Sequence, residues 1–296
     1  MKILVTGGAG FVGTNLIKRL VTNGHEVVSL DDYSTGTEDN HVNGCHYVEG
    51  RIEHINYYFG MSPSFDLVYH LAGLSRIQPS FESPSETFNV NTMGTQRVLE
   101  FARRHDLKVI YAGSSSKHHD PYQSPYAACK YLGEELCKLY KKTYNMNIEI
   151  CRFYNVYGPH EVLEGDWAAV IGIWRRQIEE GLPITIVGDG EQKRDFTHVY
   201  DIVDALLELQ SVNSSLSIID AWELGTGINY SINEVADMFI KYGGATKAWI
   251  KDQDGNYRET LRESDEALKL LDWEPKDRLE DYIKSLYKGK QLKFDL

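Results

Sequence analysis

A glycine pattern near the amino terminus constrains this chain more than any other feature. Gly8-x-Gly10-x-x-Gly13 directly follows an apolar, β-branched run and opens a stretch with helical periodicity. In that context one glycine permits a tight turn, another lets backbone N–H groups approach a pyrophosphate, and the third lets helix and strand pack closely. The N-terminus of the helix then faces the anion. The pattern therefore predicts a dinucleotide-binding turn.

An acidic residue indicates which dinucleotide binds there. Asp31 stands at the end of the second apolar run, at about the spacing expected for a carboxylate that hydrogen-bonds the adenosine ribose. Its negative charge repels the 2′-phosphate that distinguishes NADP. We therefore expect NAD as the cofactor.

Apolar runs alternate with helical patterns through the first half of the chain. Five short runs are too apolar on both faces for a half-exposed sheet, and we predict buried strands at residues 2–6, 26–30, 66–71, 108–112 and 147–152. Helices are predicted between them at residues 10–23, 84–105 and 124–144. This order predicts an α/β fold with a doubly wound parallel sheet of the Rossmann type.

The second half loses this alternation. Residues 163–189 and the tail beyond Tyr230 carry short mixed elements, which indicates a smaller C-terminal substrate lobe. We predict a Rossmann NAD-binding domain at residues 1–156, to which segments near 195–228 return, and a substrate lobe at residues 157–296. At 296 residues the chain has the size, about 250–300 residues, at which single cores begin to split.

Charge and hydropathy argue against several classes of partner. The chain carries 31 Lys and Arg against 43 Asp and Glu, a net charge of −12, and it lacks a basic run for a phosphate backbone. No stretch approaches the ~18–20 apolar residues of a bilayer span, and no long apolar signal segment opens the sequence. We expect a cytoplasmic protein without nucleic-acid or membrane partners. Its four cysteines lack C-x-x-C spacing and are expected to be reduced thiols.

Tyr126 and Lys130 form a candidate catalytic pair. Their i, i+4 spacing in a predicted helix places both side chains on one face. A neighbouring ammonium, together with a positive nicotinamide, stabilises the phenolate and lowers the tyrosine pKa from about 10, which makes proton abstraction from a sugar hydroxyl feasible. Ser114 follows the strand at residues 108–112, at the sheet edge where ligands of such folds bind, and its hydroxyl can hold the same substrate group.

Seven segments, in order along the chain, carry a resemblance to one family. They are Thr6-Gly7-Gly8-Ala9-Gly10-Phe11-Val12-Gly13, Asp31-Asp32-Tyr33-Ser34-Thr35-Gly36, His70-Leu71-Ala72-Gly73-Leu74, Asn91-Thr92-Met93-Gly94-Thr95, Tyr126-x-x-x-Lys130, Arg152-Phe153-Tyr154-Asn155-Val156-Tyr157-Gly158-Pro159 and Gly188-Asp189-Gly190-Glu191-Gln192-x-Arg194-Asp195-Phe196. Over essentially its whole length the chain resembles the extended short-chain dehydrogenase/reductases of the NAD-dependent nucleotide-sugar epimerase/dehydratase family, and in particular 4-epimerases of the UDP-glucose/galactose type.

The resemblance implies roles for individual residues. Tyr126, Lys130 and Ser114 correspond to the catalytic groups. NAD would be bound by Gly7, Gly10, Phe11, Val12, Gly13, Asp31, Asp32, Ser34, Ile52, Leu71, Ala72 and Lys130. The substrate, a nucleotide-diphosphate sugar, would contact Ser115, Asn155, Arg194 and Arg258, of which the two arginines hold the diphosphate. A surface ion pair is the alternative for either arginine. The resemblance also implies a homodimer through residues 84–105 and 124–144.

The chain departs from the family pattern at several points. Lys117-His118-His119 replaces the usual Val-Tyr-Gly, and the loop to Tyr126 is shorter than usual. A metal site at His118-His119-Asp120 is disfavoured because adjacent side chains rarely face one ion, and no metal is expected. Arg51 could stack on adenine or point to solvent. Arg76 could reach a substrate phosphate or carboxylate, although a surface ion pair is favoured for it.

The residues after Ser114 favour one reaction. The resemblance implies that Tyr126 takes the proton of the sugar 4-hydroxyl while hydride passes from C4 to NAD. Dehydratases of the family then need an acidic pair, and decarboxylases a Glu, close behind the catalytic residue, where this chain has Ser115 and Ser116. A 4-epimerase needs neither carboxylate. We therefore predict epimerisation of a nucleotide-activated sugar at C4.

Two further alternatives stay open. A nucleotide-sugar reductase would use the same residues with an exchangeable cofactor, usually NADPH, and Asp31 counts against it. A non-catalytic NAD-sensing protein would retain the glycine turn and lose the base, so the intact Ser114, Tyr126 and Lys130 count against it.

Overall fold

A parallel sheet of seven strands organises the chain. The computed structural model describes residues 1–60, 64–212 and 219–288. The strands are β1 (Lys2–Thr6), β2 (Glu26–Asp31), β3 (Cys45–Glu49), β4 (Leu67–His70), β5 (Lys108–Ser114), β6 (Ile148–Phe153), β7 (Val156–Tyr157), β8 (Ile184–Val187), β9 (Lys193–Asp195), β10 (Thr197–His198), β11 (Trp222–Leu224), β12 (Asn229–Ser231) and β13 (Lys247–Ile250). The α-helices are α1 (Phe11–Thr22), α2 (Ile55–Phe59), α3 (Ile77–Glu82), α4 (Pro84–Phe88), α5 (Thr95–Arg104), α6 (Pro125–Tyr144), α7 (Val170–Glu179), α8 (Val199–Glu208), α9 (Ile232–Gly243), α10 (Glu266–Leu270) and α11 (Leu279–Tyr287).

The strand order of the large sheet is β11-β6-β5-β4-β1-β2-β3, and all its neighbours are parallel. The order reverses at β1, so the loops after β1 and β4 diverge to opposite sides and leave a crevice at the carboxyl edge. In register, Thr6 of β1 lies beside His70 of β4. The predicted doubly wound Rossmann sheet is therefore confirmed.

Helices cover both faces of the sheet because its central strands are apolar on both sides. In β1, Ile3 and Val5 face one core cluster with α1 and α8, whereas Leu4 faces another with α5 and α6. All three side chains are fully buried. This alternation is what a strand between two helical layers requires.

The chain beyond β7 builds a third, smaller core from α7, α9, α11 and β8. Trp174, Phe239 and Ile283 are at its centre. Two elements of this half return to the large sheet, since β11 pairs with β6 and α8 packs on α1. Residues 213–218 and 289–296, which the predicted domain ranges include, lie outside the described residues.

Several predicted elements differ from those observed. The edge strand β3 was not predicted because its side chains are only partly buried. Strand β11 was not predicted because it has only three residues. The predicted helix at 84–105 is interrupted by a π-helical segment, Asn89–Gly94, in which Asn91 bonds both backbone groups of Leu74. Strand β5 continues to Ser114, so this residue ends the strand instead of following it.

The four cysteines are all free thiols, and three of them are buried. None of the helices in the described ranges is both long enough and apolar enough to cross a lipid bilayer.

Candidate active site

A cleft of about 740 Å³ opens at the carboxyl edge of the sheet and extends between the sheet and the third core. All but one of the predicted site residues line it. Those predicted to bind NAD are Gly7, Gly10, Phe11, Val12, Gly13, Asp31, Asp32, Ser34, Ile52, Leu71, Ala72 and Lys130, and those predicted to act on or contact the substrate are Ser114, Ser115, Tyr126, Asn155 and Arg194. The exception is Arg258.

The glycine turn between β1 and α1 has no room for side chains. Gly7 has φ +74°, and a Cβ at this position would lie 2.7 Å from the backbone nitrogen of Ala72. A Cβ on Gly13 would lie 2.1 Å from the carbonyl oxygen of Gly7. Gly10 precedes α1, and no side chain caps this helix. Uncapped N–H groups at a glycine-lined helix N-terminus suit a pyrophosphate, so the residues present fit a dinucleotide.

Asp31 ends β2 beside this turn. Its two carboxylate oxygens accept hydrogen bonds from the backbone nitrogens of Ala9, at 2.8 Å, and Tyr33, at 2.9 Å. Burial raises the pKa of the carboxyl group, and these N–H donors oppose the shift. The side chain thus joins the glycine turn to the loop after β2, and it lines the cleft.

Tyr126 and Lys130 meet Ser114 where α6 crosses the end of β5. The Tyr126 hydroxyl donates to Oγ of Ser114 at 3.3 Å, and Nζ of Lys130 donates to the carbonyl oxygen of Ala112 at 3.0 Å. Helix α6 begins here because Ser124 caps it, accepting from the Ala127 N–H, and Pro125 occupies its first position. Three groups predicted from the sequence are therefore brought together.

Burial dominates the electrostatics of this pair. It raises the pKa of Tyr126, although the Ser114 hydrogen bond and the positive charge of Arg76 both oppose the shift. It lowers the pKa of Lys130 to about 8. The expected lowering of the tyrosine pKa is therefore not found in the protein alone, because desolvation of the phenol outweighs its polar neighbours.

Arg194, on β9, is a cation that lines the cleft. Its guanidinium donates to the carbonyl oxygen of Lys193 and to Oδ1 of Asn256, and burial lowers its pKa to about 10. No carboxylate of the described residues forms an ion pair with it. Asn155, with φ +21°, donates from Nδ2 to Thr260 and to the backbone of Asp195.

Arg258 lies outside the cleft. It is exposed and forms a bidentate ion pair with Asp189 at 2.9 and 3.0 Å. The surface ion pair, held open as its alternative, is what the structure shows, because the chain carries Tyr257 into the cleft and turns the next side chain outward.

Two hydroxyl groups of the cleft were not among the predicted site residues. Ser116 Oγ and Tyr257 Oη are buried and have no hydrogen-bond partner within the described ranges, and both residues line the cleft. Buried hydroxyls are normally paired, so a ligand would satisfy them. Ser116 could have been found from its place after Ser114, whereas nothing in the sequence singles out Tyr257.

The segment Lys117-His118-His119, which departs from the family pattern, makes three separate contacts. Lys117 pairs with Glu135 at 2.6 Å, His118 contacts Glu223 at 2.8 Å, and His119 stacks on Tyr257 with ring centroids 3.9 Å apart. The three side chains diverge. In the part of the chain that the structure describes, no three or more His, Cys, Asp or Glu side chains are grouped to hold a metal ion.

Arg51 and Arg76 have contrasting environments. Arg51 pairs with Glu53 at 2.7 Å and Glu86 at 2.6 Å and does not line the cleft. Arg76 lines the cleft, and its Nε donates to the carbonyl oxygen of Trp167 at 2.9 Å. The surface ion pair favoured for Arg76 is wrong, because the loop after β4 directs this side chain inward, toward Trp167.

The chain is similar to known proteins over most of its length. The sequence model described as the NAD dependent epimerase/dehydratase family matches residues 3–217. UDP-glucose 4-epimerase of Mycolicibacterium smegmatis is 29% identical over 96% of this chain and 96% of its own. UDP-glucuronic acid decarboxylase 1 of Xenopus tropicalis is 30% identical over 95% of this chain and 70% of its own. The structure of UDP-glucuronic acid 4-epimerase from Bacillus cereus, in complex with UDP-glucuronic acid and NAD, is similar with a TM-score of 0.85 and 28% identity, covering 97% and 98% of the two chains.

Proposed function

Because this chain belongs to the NAD dependent epimerase/dehydratase family of enzymes, we propose that it inverts the configuration at C4 of a nucleotide-activated sugar. The main observation behind this proposal is the contact between Tyr126 and Ser114 at the end of β5. Lys130 lies one helical turn after Tyr126 in α6. A phenol held against a hydroxyl at the cleft wall is placed to exchange a proton with a sugar hydroxyl.

The cofactor would lie along the glycine turn. Gly7, Gly10 and Gly13 leave space for the pyrophosphate, Asp31 would bond the adenosine ribose, and Lys130 retains N–H donors for the second ribose. Held by these residues, NAD would supply the hydride acceptor and donor that inversion at C4 requires.

The proton follows a separate route through the protein. Ser114 would hold the 4-hydroxyl, and the Tyr126 phenolate would take its proton as the alcohol becomes a 4-keto sugar. After the keto sugar turns over in the pocket, Tyr126 returns the proton. The positive charge of Arg76 favours the phenolate and opposes the effect of burial. The Lys130 ammonium and a positive nicotinamide would act in the same direction.

Serines at positions 115 and 116 support epimerisation over the other outcomes of a 4-keto sugar. Both side chains are buried and line the cleft, and neither supplies the carboxylate needed for dehydration or decarboxylation. Decarboxylation is the second candidate because of the similarity to the Xenopus tropicalis decarboxylase. A reductase and an NAD-sensing protein are less well supported, since Asp31 and the complete catalytic trio line the cleft.

The nucleotide diphosphate is assigned to the wall opposite the cofactor. Arg194 offers a planar fork without a competing carboxylate, and Asn155 lies nearby on the β6–β7 connection. We accordingly propose that residues 1–156 bind NAD and that residues 157–296 supply the sugar-nucleotide lobe.

We also propose a cytoplasmic homodimer. Apolar side chains are exposed on α6, where Leu132 and Leu139 lie two turns apart with 40% and 53% of their surface exposed, and Met93 is 48% exposed on the neighbouring π-helical segment. An apolar stripe of this kind suits a helical interface. Free buried thiols fit a reducing compartment.

The proposal is tested by incubating the purified protein, without added cofactor, with UDP-, dTDP- and GDP-sugars and following the anomeric protons by NMR. A new isomer of unchanged composition supports a 4-epimerase that holds its NAD. A pentose nucleotide with release of CO₂ would replace this function by decarboxylation, a dehydrated sugar would replace it by dehydration, and the absence of any product would overturn it.

A further inference from the structure

Arg76 is a cation of the cleft that forms no ion pair with the residues that the structure describes. The residue lies between β4 and α3, lines the cleft and is half-buried. Its Nε donates to the Trp167 carbonyl oxygen at 2.9 Å, which fixes the guanidinium plane. Among residues 1–60, 64–212 and 219–288, no side chain accepts a hydrogen bond from its terminal Nη atoms, and no carboxylate lies within the 4 Å of an ion pair.

Glu161 is the carboxylate whose charge acts on Arg76, but it is already paired. Its Oε1 lies 2.8 Å from Nη1 of Arg175 and accepts a hydrogen bond from the Tyr282 hydroxyl at 3.0 Å. Glu161 therefore neutralises Arg175, and no described residue hydrogen-bonds its remaining oxygen. The positive charge of Arg76 remains available to a ligand.

A guanidinium removed from water needs an anion or several hydrogen bonds to offset its desolvation. Burial accordingly lowers the pKa of Arg76. The two free Nη groups present parallel donors, an arrangement that matches the two oxygens of a carboxylate. A neutral hydroxymethyl group would leave most of these donors unsatisfied.

The position of Arg76 decides which part of the substrate it meets. Its charge acts on the Tyr126 phenol, the group assigned to the sugar 4-hydroxyl, whereas the diphosphate is assigned to Arg194 on β9. In a hexose the C6 substituent is attached at C5, directly beside C4. An anion opposite Arg76 and close to Tyr126 is therefore best supplied by C6.

We propose that Arg76 binds the C6 carboxylate of a hexuronic acid, so that this enzyme acts on a nucleotide-linked uronate in preference to the corresponding neutral hexose. The inference rests on the proposed function, since it places C4 of the sugar at Tyr126. It assigns to Arg76 the selection of the substrate, and it leaves proton transfer to Tyr126.

Measurements of ligand affinity separate the proposed role of Arg76 from catalysis. In a Tyr126→Phe background, the affinities for UDP-glucuronate and UDP-glucose are measured by calorimetry with and without the second change Arg76→Gln. We expect the uronate to bind about tenfold or more tightly than glucose, and Arg76→Gln to abolish that preference while UDP-glucose affinity changes little. Arg19→Gln, which removes an arginine paired with Asp204 on the surface, should leave the ratio unchanged.

Equal affinity for the two nucleotide sugars in the Tyr126→Phe protein would overturn the inference, and so would a uronate preference that survives Arg76→Gln. An equal loss of affinity for both ligands on Arg76→Gln would also overturn it, because it would indicate a phosphate contact. Failure of the proposed function is seen separately. If the uronate preference depends on Arg76 but the protein with Tyr126 forms no C4 isomer, the carboxylate site stands and the epimerase assignment falls.

Discussion

The phenol oxygen of Tyr126 lies 3.3 Å from the hydroxyl oxygen of Ser114, although the two residues belong to different elements, α6 and β5. The contact joins a helix to the carboxyl end of a central strand, in a cleft where burial raises the pKa of the phenol. Proton transfer from a bound sugar therefore depends on the positive groups that the ligands and the protein bring to this point.

Tyr126→Phe removes the proposed base and keeps the ring. We expect turnover to fall by about 10²–10⁴, the usual contribution of general acid–base catalysis, while bound NAD is retained. NMR of the sugar product and absorbance of the released cofactor measure the two properties. Tyr122→Phe, on an exposed tyrosine just before α6, is the matched control. Unchanged turnover in Tyr126→Phe would remove Tyr126 from the mechanism.

Asp31→Asn tests the choice between NAD and NADP. The amide retains an oxygen that can accept one of the two backbone N–H bonds, but it no longer repels a 2′-phosphate. We expect the ratio of NAD to NADP affinity to fall by about tenfold or more, as measured by calorimetry. Asp39→Asn, on an exposed residue outside the cleft, should not change the ratio. A constant ratio in Asp31→Asn would contradict the assigned ribose contact.

Gly13→Ala tests the tightness of the dinucleotide turn. The added Cβ would lie 2.1 Å from the Gly7 carbonyl oxygen, a backbone atom that cannot move without opening the turn. We expect NAD binding to be lost and the free energy of unfolding to fall by about 1–3 kcal/mol. Gly24→Ala is the control, because its Cβ meets nothing within 4 Å and only the strain of φ +80° remains. Full NAD occupancy in Gly13→Ala would show that the turn is not the cofactor site.

His70 predicts a pH dependence of stability. It is buried between Thr6, 2.8 Å from Nδ1, and Thr95, 3.0 Å from Nε2, and burial lowers its pKa to about 3. Because the unfolded chain binds this proton near pH 6.5, the stabilisation is complete above pH 6.5 and is lost as the pH falls toward 3.

Between pH 6 and 4, the free energy of unfolding should fall more steeply in the parent than in His70→Gln, by up to about 1.4 kcal/mol per pH unit. Urea unfolding at several pH values measures this slope. His46→Gln, on the exposed edge of β3, should retain the parental slope. Parallel slopes for the parent and His70→Gln would show that His70 is protonated in the folded protein.

Leu139→Glu tests the proposed dimer. A carboxylate in the exposed apolar stripe of α6 would have to be buried in the interface, which is costly without a partner. We expect the dissociation constant of the dimer to rise by about tenfold or more, measured by light scattering across a concentration series. Leu270→Glu, on a 62% exposed leucine of α10, is the matched control. A parent protein that is monomeric at all concentrations would refute the dimer.

Local chemistry explains why much of this protein was predictable. The glycine turn, Asp31, the apolar central strands and the Tyr126–Lys130 spacing each follow from contacts within one element or between an element and the next. The Rossmann sheet was therefore evident, as were the residues that line the cleft beside the glycine turn. The two short or half-exposed strands β3 and β11 were not, since their burial depends on neighbours that are distant in sequence.

Only the tertiary structure decided the environment of individual polar groups. Arg76 and Arg258 both lie in loops, yet one is directed into the cleft and the other forms an exposed pair with Asp189. Tyr257 enters the site by stacking on His119, which is 138 positions earlier in the chain. The sequence determined which groups exist and the sheet that carries them. The tertiary structure decided which charged side chains form ion pairs and which line the cleft, because ion pairing and desolvation depend on contacts between segments that are distant in sequence.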